Sequence, residues 1–150
     1  MCATLRMATR AVTKRYDEAL RPAGLRTTQY SVLARLRFEG PFTLTRLAER
    51  LALDRTTLAR ELEPLRRRGL VSVTPGADRR RREVALTEEG RALLRKARPL
   101  WEAAQVGVVE ELGVERVGAL LAELSAIASQ HEKPGTTART EGAVRTSERP

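Results

Sequence analysis

The sequence predicts a mainly α-helical chain that carries one small β-hairpin. Three observations lead there. Apolar residues recur at three- and four-residue spacing through most of the first 130 positions, as buried helical stripes require. One short alternating stretch, Leu70-Val71-Ser72-Val73-Thr74, breaks that rhythm, and Glu83-Val84-Ala85-Leu86 answers it after a turn at Pro75-Gly76-Ala77-Asp78. Aromatic residues are only 3% against 41% hydrophobic overall, so the core must be built from Leu, Val and Ala.

The first helix spans about 3–20. Leu5, Ala8, Val12, Tyr16, Ala19 and Leu20 share a face, with Arg6, Arg10, Lys14 and Asp17 on others. Pro22 and Gly24 end it. Thr28 to Phe38 forms a second helix, closed by Gly40-Pro41. Thr43 caps a third, in which Leu44, Leu47, Ala48 and Leu51 make the buried stripe. A capping box would place Glu or Gln three residues after Thr43. Arg46 stands there instead, a cation set against the helix dipole and suited to a nearby phosphate.

Ala52-Leu53 is a short link to the next helix, so the pair is a helix-turn-helix candidate. Asp54 is a good N-cap and Gly69 a good stop. Between them Leu58, Leu62 and Leu65 point inward, while Arg55, Thr56, Thr57 and Arg60 occupy the first two turns and point elsewhere. Arg bonds guanine in bidentate fashion, and Thr offers a hydroxyl and a methyl, so this end suits a DNA major groove. A solvated surface helix is the plainer alternative. Pro64 predicts a local kink after Arg60 rather than a break. Arg66, Arg67 and Arg68 place favourable charge at the helix C-terminus.

The hairpin that follows carries a basic run, Arg79 to Arg82, at its tip. Thr87 caps a long helix of about 88–112, whose apolar face is Leu93, Leu94, Ala97, Leu100, Trp101, Ala104 and Val108. Gly113 separates it from a last helix of about 114–130, with Val117, Leu120, Leu121, Leu124 and Ile127. Residues 132–150 hold hardly an apolar side chain and read as a disordered tail.

Lys+Arg is 28 against Asp+Glu 19 in 150 residues, a net charge of +9 that favours a polyanionic partner or an anionic membrane surface. No apolar run reaches membrane-span length, and the N-terminus lacks a signal-peptide pattern, so the expectation is a cytoplasmic protein with no membrane partner. One cysteine and one histidine leave no disulfide and little for a metal. No paired carboxylates or phosphate-binding glycine loop suggest an enzyme, and no cofactor or metal is expected.

These residues resemble the MarR family of bacterial winged-helix regulators. The likeness rests on Leu47-Ala48 before the turn, the Asp54-Arg-Thr-Thr-Leu start, and Leu65 followed by Arg-Arg-Arg-Gly69-Leu70-Val71. Asp78-Arg79-Arg80, Leu86-Thr87 and Glu89-Gly90 continue it. It extends to Arg10-Ala-Val-Thr and Leu25-Arg-Thr-Thr-Gln-Tyr30, and so covers roughly residues 2–130. The resemblance implies a single domain over 1–131, with a DNA-binding winged helix at about 28–90 and dimerisation helices at about 3–20, 88–112 and 114–130. It implies a homodimeric repressor on a pseudopalindromic double-stranded operator, released by a small-molecule effector or by oxidation. An architectural DNA-binding protein without an effector is the alternative.

The resemblance also implies roles for single residues. Arg55, Thr56, Thr57 and Arg60 would read bases or touch phosphates, joined by Arg46. Arg80 would enter the minor groove from the wing, with Arg82 second. Asp78 would orient arginine rather than touch DNA. Peroxide sensors of the family pair an N-terminal cysteine with a tyrosine fourteen residues later, and Cys2 and Tyr16 have that spacing. A second tyrosine is expected where Thr27 stands, so packing at a dimer seam is the favoured reading of Cys2. Tyr16 and Trp101 are candidates for an effector pocket, against the plainer reading as core.

Overall fold

The computed structural model describes residues 1–76 and 82–131. The described residues up to Glu111 form one compact unit and those from Leu112 a second. The elements are α1 (Cys2–Leu20), a 3-10 turn (Arg21–Ala23), α2 (Thr27–Glu39), β1 (Phe42–Thr43), α3 (Leu44–Arg50), α4 (Arg55–Arg67), β2 (Val71–Pro75), β3 (Arg82–Leu86), α5 (Glu88–Leu112) and α6 (Val114–His131). The expected disordered tail lies outside the described residues.

The three strands form an antiparallel sheet in the order β1-β3-β2. Val73 and Phe42 both lie opposite Val84, which centres the sheet on a fully buried valine. β1 is a correction: two residues are too few to show a periodicity, and the sequence predicts Thr43 only as a cap. Pro75 is a second correction. It belongs to β2 and lies opposite Arg82, rather than opening the turn. Because β2 is an edge strand, a missing N–H there costs the sheet little.

The core gathers Leu20, Val32, Leu33, Leu47, Leu58, Leu65 and Val84, all fully buried. Each such leucine contributes about 1.5–3 kcal/mol relative to exposure. α4 runs unbroken through Pro64 and supplies Leu58, Leu62 and Leu65 to the core. Its end is a Schellman motif. Leu70 N–H donates to the Leu65 carbonyl at 2.9 Å, Gly69 N–H donates to Arg66, and Gly69 takes φ +69°.

Polar links hold the frame around this core. Asp17 on α1 accepts from the backbone N–H of Thr27 at 2.7 Å and from its hydroxyl at 2.6 Å, so α1 caps α2. Thr87 bridges hairpin and α5: its hydroxyl donates to the Gly69 carbonyl at 2.7 Å and accepts from Gly90 N–H at 3.0 Å. Gly90 must be glycine here, because a Cβ would lie 2.1 Å from the Leu70 carbonyl oxygen.

α1 buries only Tyr16 and Leu20, leaving Leu5, Met7 and Val12 exposed. In the second unit, α6 carries exposed Leu120, Leu121 and Ile127.

Candidate nucleic-acid interface

The N-terminal end of α4 is built by its cap. Asp54 accepts from Thr57 N–H at 2.8 Å and from the Thr57 hydroxyl at 2.5 Å. The Thr57 hydroxyl, then its backbone N–H, hold the Asp54 carboxyl below the usual carboxylate range. With Leu58, Leu62 and Leu65 fixed in the core, the helix must turn Arg55, Thr56, Ala59 and Arg60 to solvent, and all four are exposed. Thr57 differs from its neighbours. It is half-buried, and its proton is spent on Asp54, so towards a base its hydroxyl can only accept.

α3 is set before α4 by a tight turn. The Thr43 hydroxyl accepts from Arg46 N–H at 3.3 Å, as the cap reading requires. Leu53 N–H returns to the Ala48 carbonyl at 2.9 Å, and Ala52 adopts φ +50° to allow it. That conformation is strained for any residue with a Cβ.

Arg46, Arg55 and Arg82 come together, lining one groove of about 590 Å³ with Thr45 and Glu49. Strand alternation explains Arg82. Val84 and Leu86 face the core, so Arg82 shares their side of β3 but lies past the end of the apolar packing. Arg60 lies on the other flank of α4. It lines a wider groove of about 1140 Å³ with Arg10, Lys14 and Arg26. Arg80 and Asp78 lie outside the described residues.

The arginines at the far end of α4 are otherwise employed. Arg66 and Arg67 pair with Glu63, at 3.0 Å and 3.5 Å. Arg68 donates to the Gly24 carbonyl at 2.6 Å, tying α4 to the turn after α1. The reading of Arg68 as terminal charge missed this link, because nothing local in sequence points from 68 to 24.

Tyr16 and Trp101 meet, with ring centroids 6.0 Å apart, and Tyr30 stacks on Trp101 at 5.6 Å and 13°. The Tyr16 hydroxyl donates to Gln105. Burial pushes the Tyr16 phenol up, partly offset by Arg15; burial and then Glu102 raise that of Tyr30. Cys2 is exposed at the far end of α1. Fourteen residues of helix separate it from Tyr16 by about 21 Å, so one chain does not bring the two together. Thr27, the position aligned with the sensors' second tyrosine, is taken up by Asp17.

Among the described residues no group of His, Cys, Asp and Glu could hold a metal ion, and no helix is long and apolar enough to cross a membrane.

A helix-turn-helix followed by a β-hairpin, with a second helix that offers arginine and threonine at its exposed start, defines a winged-helix transcriptional regulator. The MarR family model matches residues 25–82. The transcriptional regulator MosR of M. tuberculosis, solved in complex with DNA, is 45% identical, with 86% of this chain and 96% of that chain covered and a TM-score of 0.75. A MarR-family transcriptional regulator from Rhodococcus sp. RHA1 is 30% identical, covering 83% of this chain and 89% of that one, with a TM-score of 0.73. An uncharacterized HTH-type transcriptional regulator of Bacillus subtilis, YwoH, is 34% identical over 85 residues, 57% of this chain and 62% of its own length. The chain belongs to the MarR family of transcriptional regulators.

Proposed function

We propose that the chain is a homodimeric, sequence-specific repressor acting in the cytoplasm, with residues 1–131 working as one domain on a pseudopalindromic double-stranded operator. The observation that carries this reading is the exposed start of α4, where Arg55, Thr56 and Arg60 leave a helix anchored by three buried leucines. Such an end fits a major groove, and the wing arginines, Arg80 foremost, would lie in the adjacent minor groove. The similarity to MosR, solved with DNA, supports the partner. Titration of an operator duplex and a scrambled duplex at several salt concentrations tests it. Sequence preference of at least about a thousandfold is expected. Equal affinity for the two would favour an architectural protein instead.

Exposed Leu5, Met7 and Val12 on α1, and exposed Leu120, Leu121 and Ile127 on α6, support the dimer, since apolar patches of this kind seek a partner. Leu121→Asp with Leu124→Asp should give monomer or unfolded protein in sedimentation, and an unchanged dimer would remove the assignment. Release by a small-molecule or oxidative signal separates on Cys2. Hydroperoxide that releases the wild type but not Cys2→Ser would make the thiol the sensor. Equal behaviour leaves Cys2 as packing, the favoured outcome, and moves attention to the Tyr16–Trp101 cluster as an effector wall.

A further inference from the structure

We propose that Arg68 and Thr87 are positioning residues that set the half-site spacing the dimer accepts. The inference rests on the homodimer and operator reading above and places its spacing device at the finish of α4. The chain passes twice between the DNA-reading lobe and the helices which that reading gives to the subunit contact. One passage is residues 21–26, from α1 into α2, and the other is Thr87, from β3 into α5. Both are bonded to three consecutive residues, Arg68, Gly69 and Leu70. Arg68 donates from Nη1 to the Gly24 carbonyl at 2.6 Å. The Thr87 hydroxyl donates to the Gly69 carbonyl at 2.7 Å, and Thr87 N–H donates to the Leu70 carbonyl at 3.2 Å.

The finish of α4 has nothing to gain for itself from these bonds. The N–H groups of Arg68, Gly69 and Leu70 already answer the carbonyls of Pro64, Arg66 and Leu65. What the three residues turn outward is a guanidinium and two carbonyls, and those are what the passages take up. Each passage is also held on its other side. Asp17 fastens Thr27 to α1, and Gly24 N–H returns to the Arg21 carbonyl at 2.9 Å. Gly90 lies so close to the Leu70 carbonyl that no Cβ fits between α5 and the node. Leu20, Leu25, Leu65 and Leu70, around the node, are buried in one core.

The reading end of α4 lies far from this node. Thirteen residues of helix put Arg55 about 18 Å from Arg67. A tilt of about 10° about the node therefore moves the start of α4 by about 3 Å, close to the rise of one base pair, about 3.4 Å. Bonds that suppress such a tilt in both subunits let the dimer tell one half-site spacing from the next.

The test uses a duplex selected by the wild type from a random library, rebuilt with one or two base pairs added or removed between its half-sites. Arg68→Met keeps the stem and loses the donors. Thr87→Val keeps the shape and the N–H and loses the hydroxyl. Wild type should lose about tenfold or more in affinity for a change of one base pair, which turns the second half-site by about a tenth of a turn. The double variant should hold that loss to about threefold or less, because two hydrogen bonds at roughly two- to tenfold each no longer resist the tilt. Its preference for the selected duplex over a scrambled one should survive, since Arg55, Thr56 and Arg60 are untouched. Arg68→Lys with Thr87→Ser, which keeps a donor at each position, should restore the spacing penalty. A penalty as steep in the double variant as in the wild type, or an equal loss at every spacing, would overturn the proposal and leave the bonds as supports of the fold.

A second measurement needs no DNA. In a Cys2→Ser, Ala59→Cys background each subunit takes one nitroxide, on an exposed position of α4. Pulsed dipolar spectroscopy then gives the distribution of distances between the two α4 helices of a dimer. Arg68→Met, at an exposed position where folding is not at stake, should broaden that distribution. An unchanged width would overturn the proposal even if the double variant failed to fold. A wild type that sediments as a monomer, or that binds a lone half-site as tightly as the pair, would instead overturn the homodimer and operator reading, and the spacing device with it.

Discussion

The two ends of α4 carry the same residue type in opposite employment. At the start, Arg55 and Arg60 stand in solvent with no acidic partner among the described residues. At the finish, Arg66 and Arg67 are held by Glu63 and Arg68 by the Gly24 carbonyl. A count of positive charge cannot separate these groups. What separates them is whether the protein itself already supplies the acceptor. Unanswered donors at one end are available to a ligand, whereas answered ones at the other end hold the helix in the frame.

The sharpest way to break the structural end is Gly90→Ala. Its Cβ would lie 2.1 Å from the Leu70 carbonyl oxygen, which is backbone and cannot swing aside. Leu70 also closes the Schellman motif of α4. The substitution should destabilise by about 3 kcal/mol or more, read as a lower midpoint in urea unfolding. A loss below about 1 kcal/mol would mean that α5 shifts freely, and that the Leu70–Gly90 junction does not anchor it.

The contrast itself is tested by a matched pair. Arg60→Ala should cost on the order of 1–3 kcal/mol on the operator and little on scrambled DNA, with stability nearly unchanged. Arg68→Ala should do the reverse, losing about 1 kcal/mol of stability with the Gly24 bond and leaving operator preference intact. If Arg68→Ala reduced operator preference as much as Arg60→Ala, the division of the helix into two ends would be wrong.

How much of this was legible in the sequence depends on the distance over which each feature is encoded. Asp54 and Gly69 bound α4 correctly because caps and stops are chemistry of a few adjacent residues. Thr87 before Glu88 and Glu89 marked the start of α5 for the same reason. β1 was not legible, since Phe42 and Thr43 become a strand only by lying beside Val84 and Glu83. Nor could any local pattern pair Arg68 with Gly24, Asp17 with Thr27 or Tyr30 with Trp101. The candidate site divides in the same way. Arg55, Thr56 and Arg60 follow from helical periodicity against Leu58, Leu62 and Leu65. The groove that joins Arg46, Arg55 and Arg82 requires the turn angle and the strand register. Thr57 shows a further limit: spacing places it beside the exposed set, but its hydroxyl is turned back to Asp54.

That turned-back hydroxyl gives the start of α4 a pH dependence. The folded-state pKa of Asp54 is lowered, so its contribution to stability is fully present above the unfolded carboxylate pKa, about 3.9. It is lost as pH falls from there through the lower folded value. Wild-type protein should therefore lose stability over that acid window relative to Asp54→Asn, and the two melting curves should converge below it. Curves that stay parallel across the window would show that the cap bonds do not favour the ionised form.

The smallest effect expected concerns the turn that aims this end. Ala52 sits at φ +50°, a conformation that costs an L-residue roughly 1–2 kcal/mol and glycine little. Part of that relief is offset by the larger conformational entropy glycine loses on folding. Ala52→Gly should therefore raise stability, by only about 0.5 kcal/mol, measured as a small rise in the urea midpoint. The same change widens the range of angles that the α3–α4 link can adopt. Operator affinity should fall slightly while affinity for scrambled DNA stays constant, because only the base-reading geometry depends on that angle. A variant that gained stability and operator affinity together would show that the strain at Ala52 does nothing to aim α4. One that lost stability would show that the Leu53 to Ala48 bond, not the backbone at 52, sets the turn.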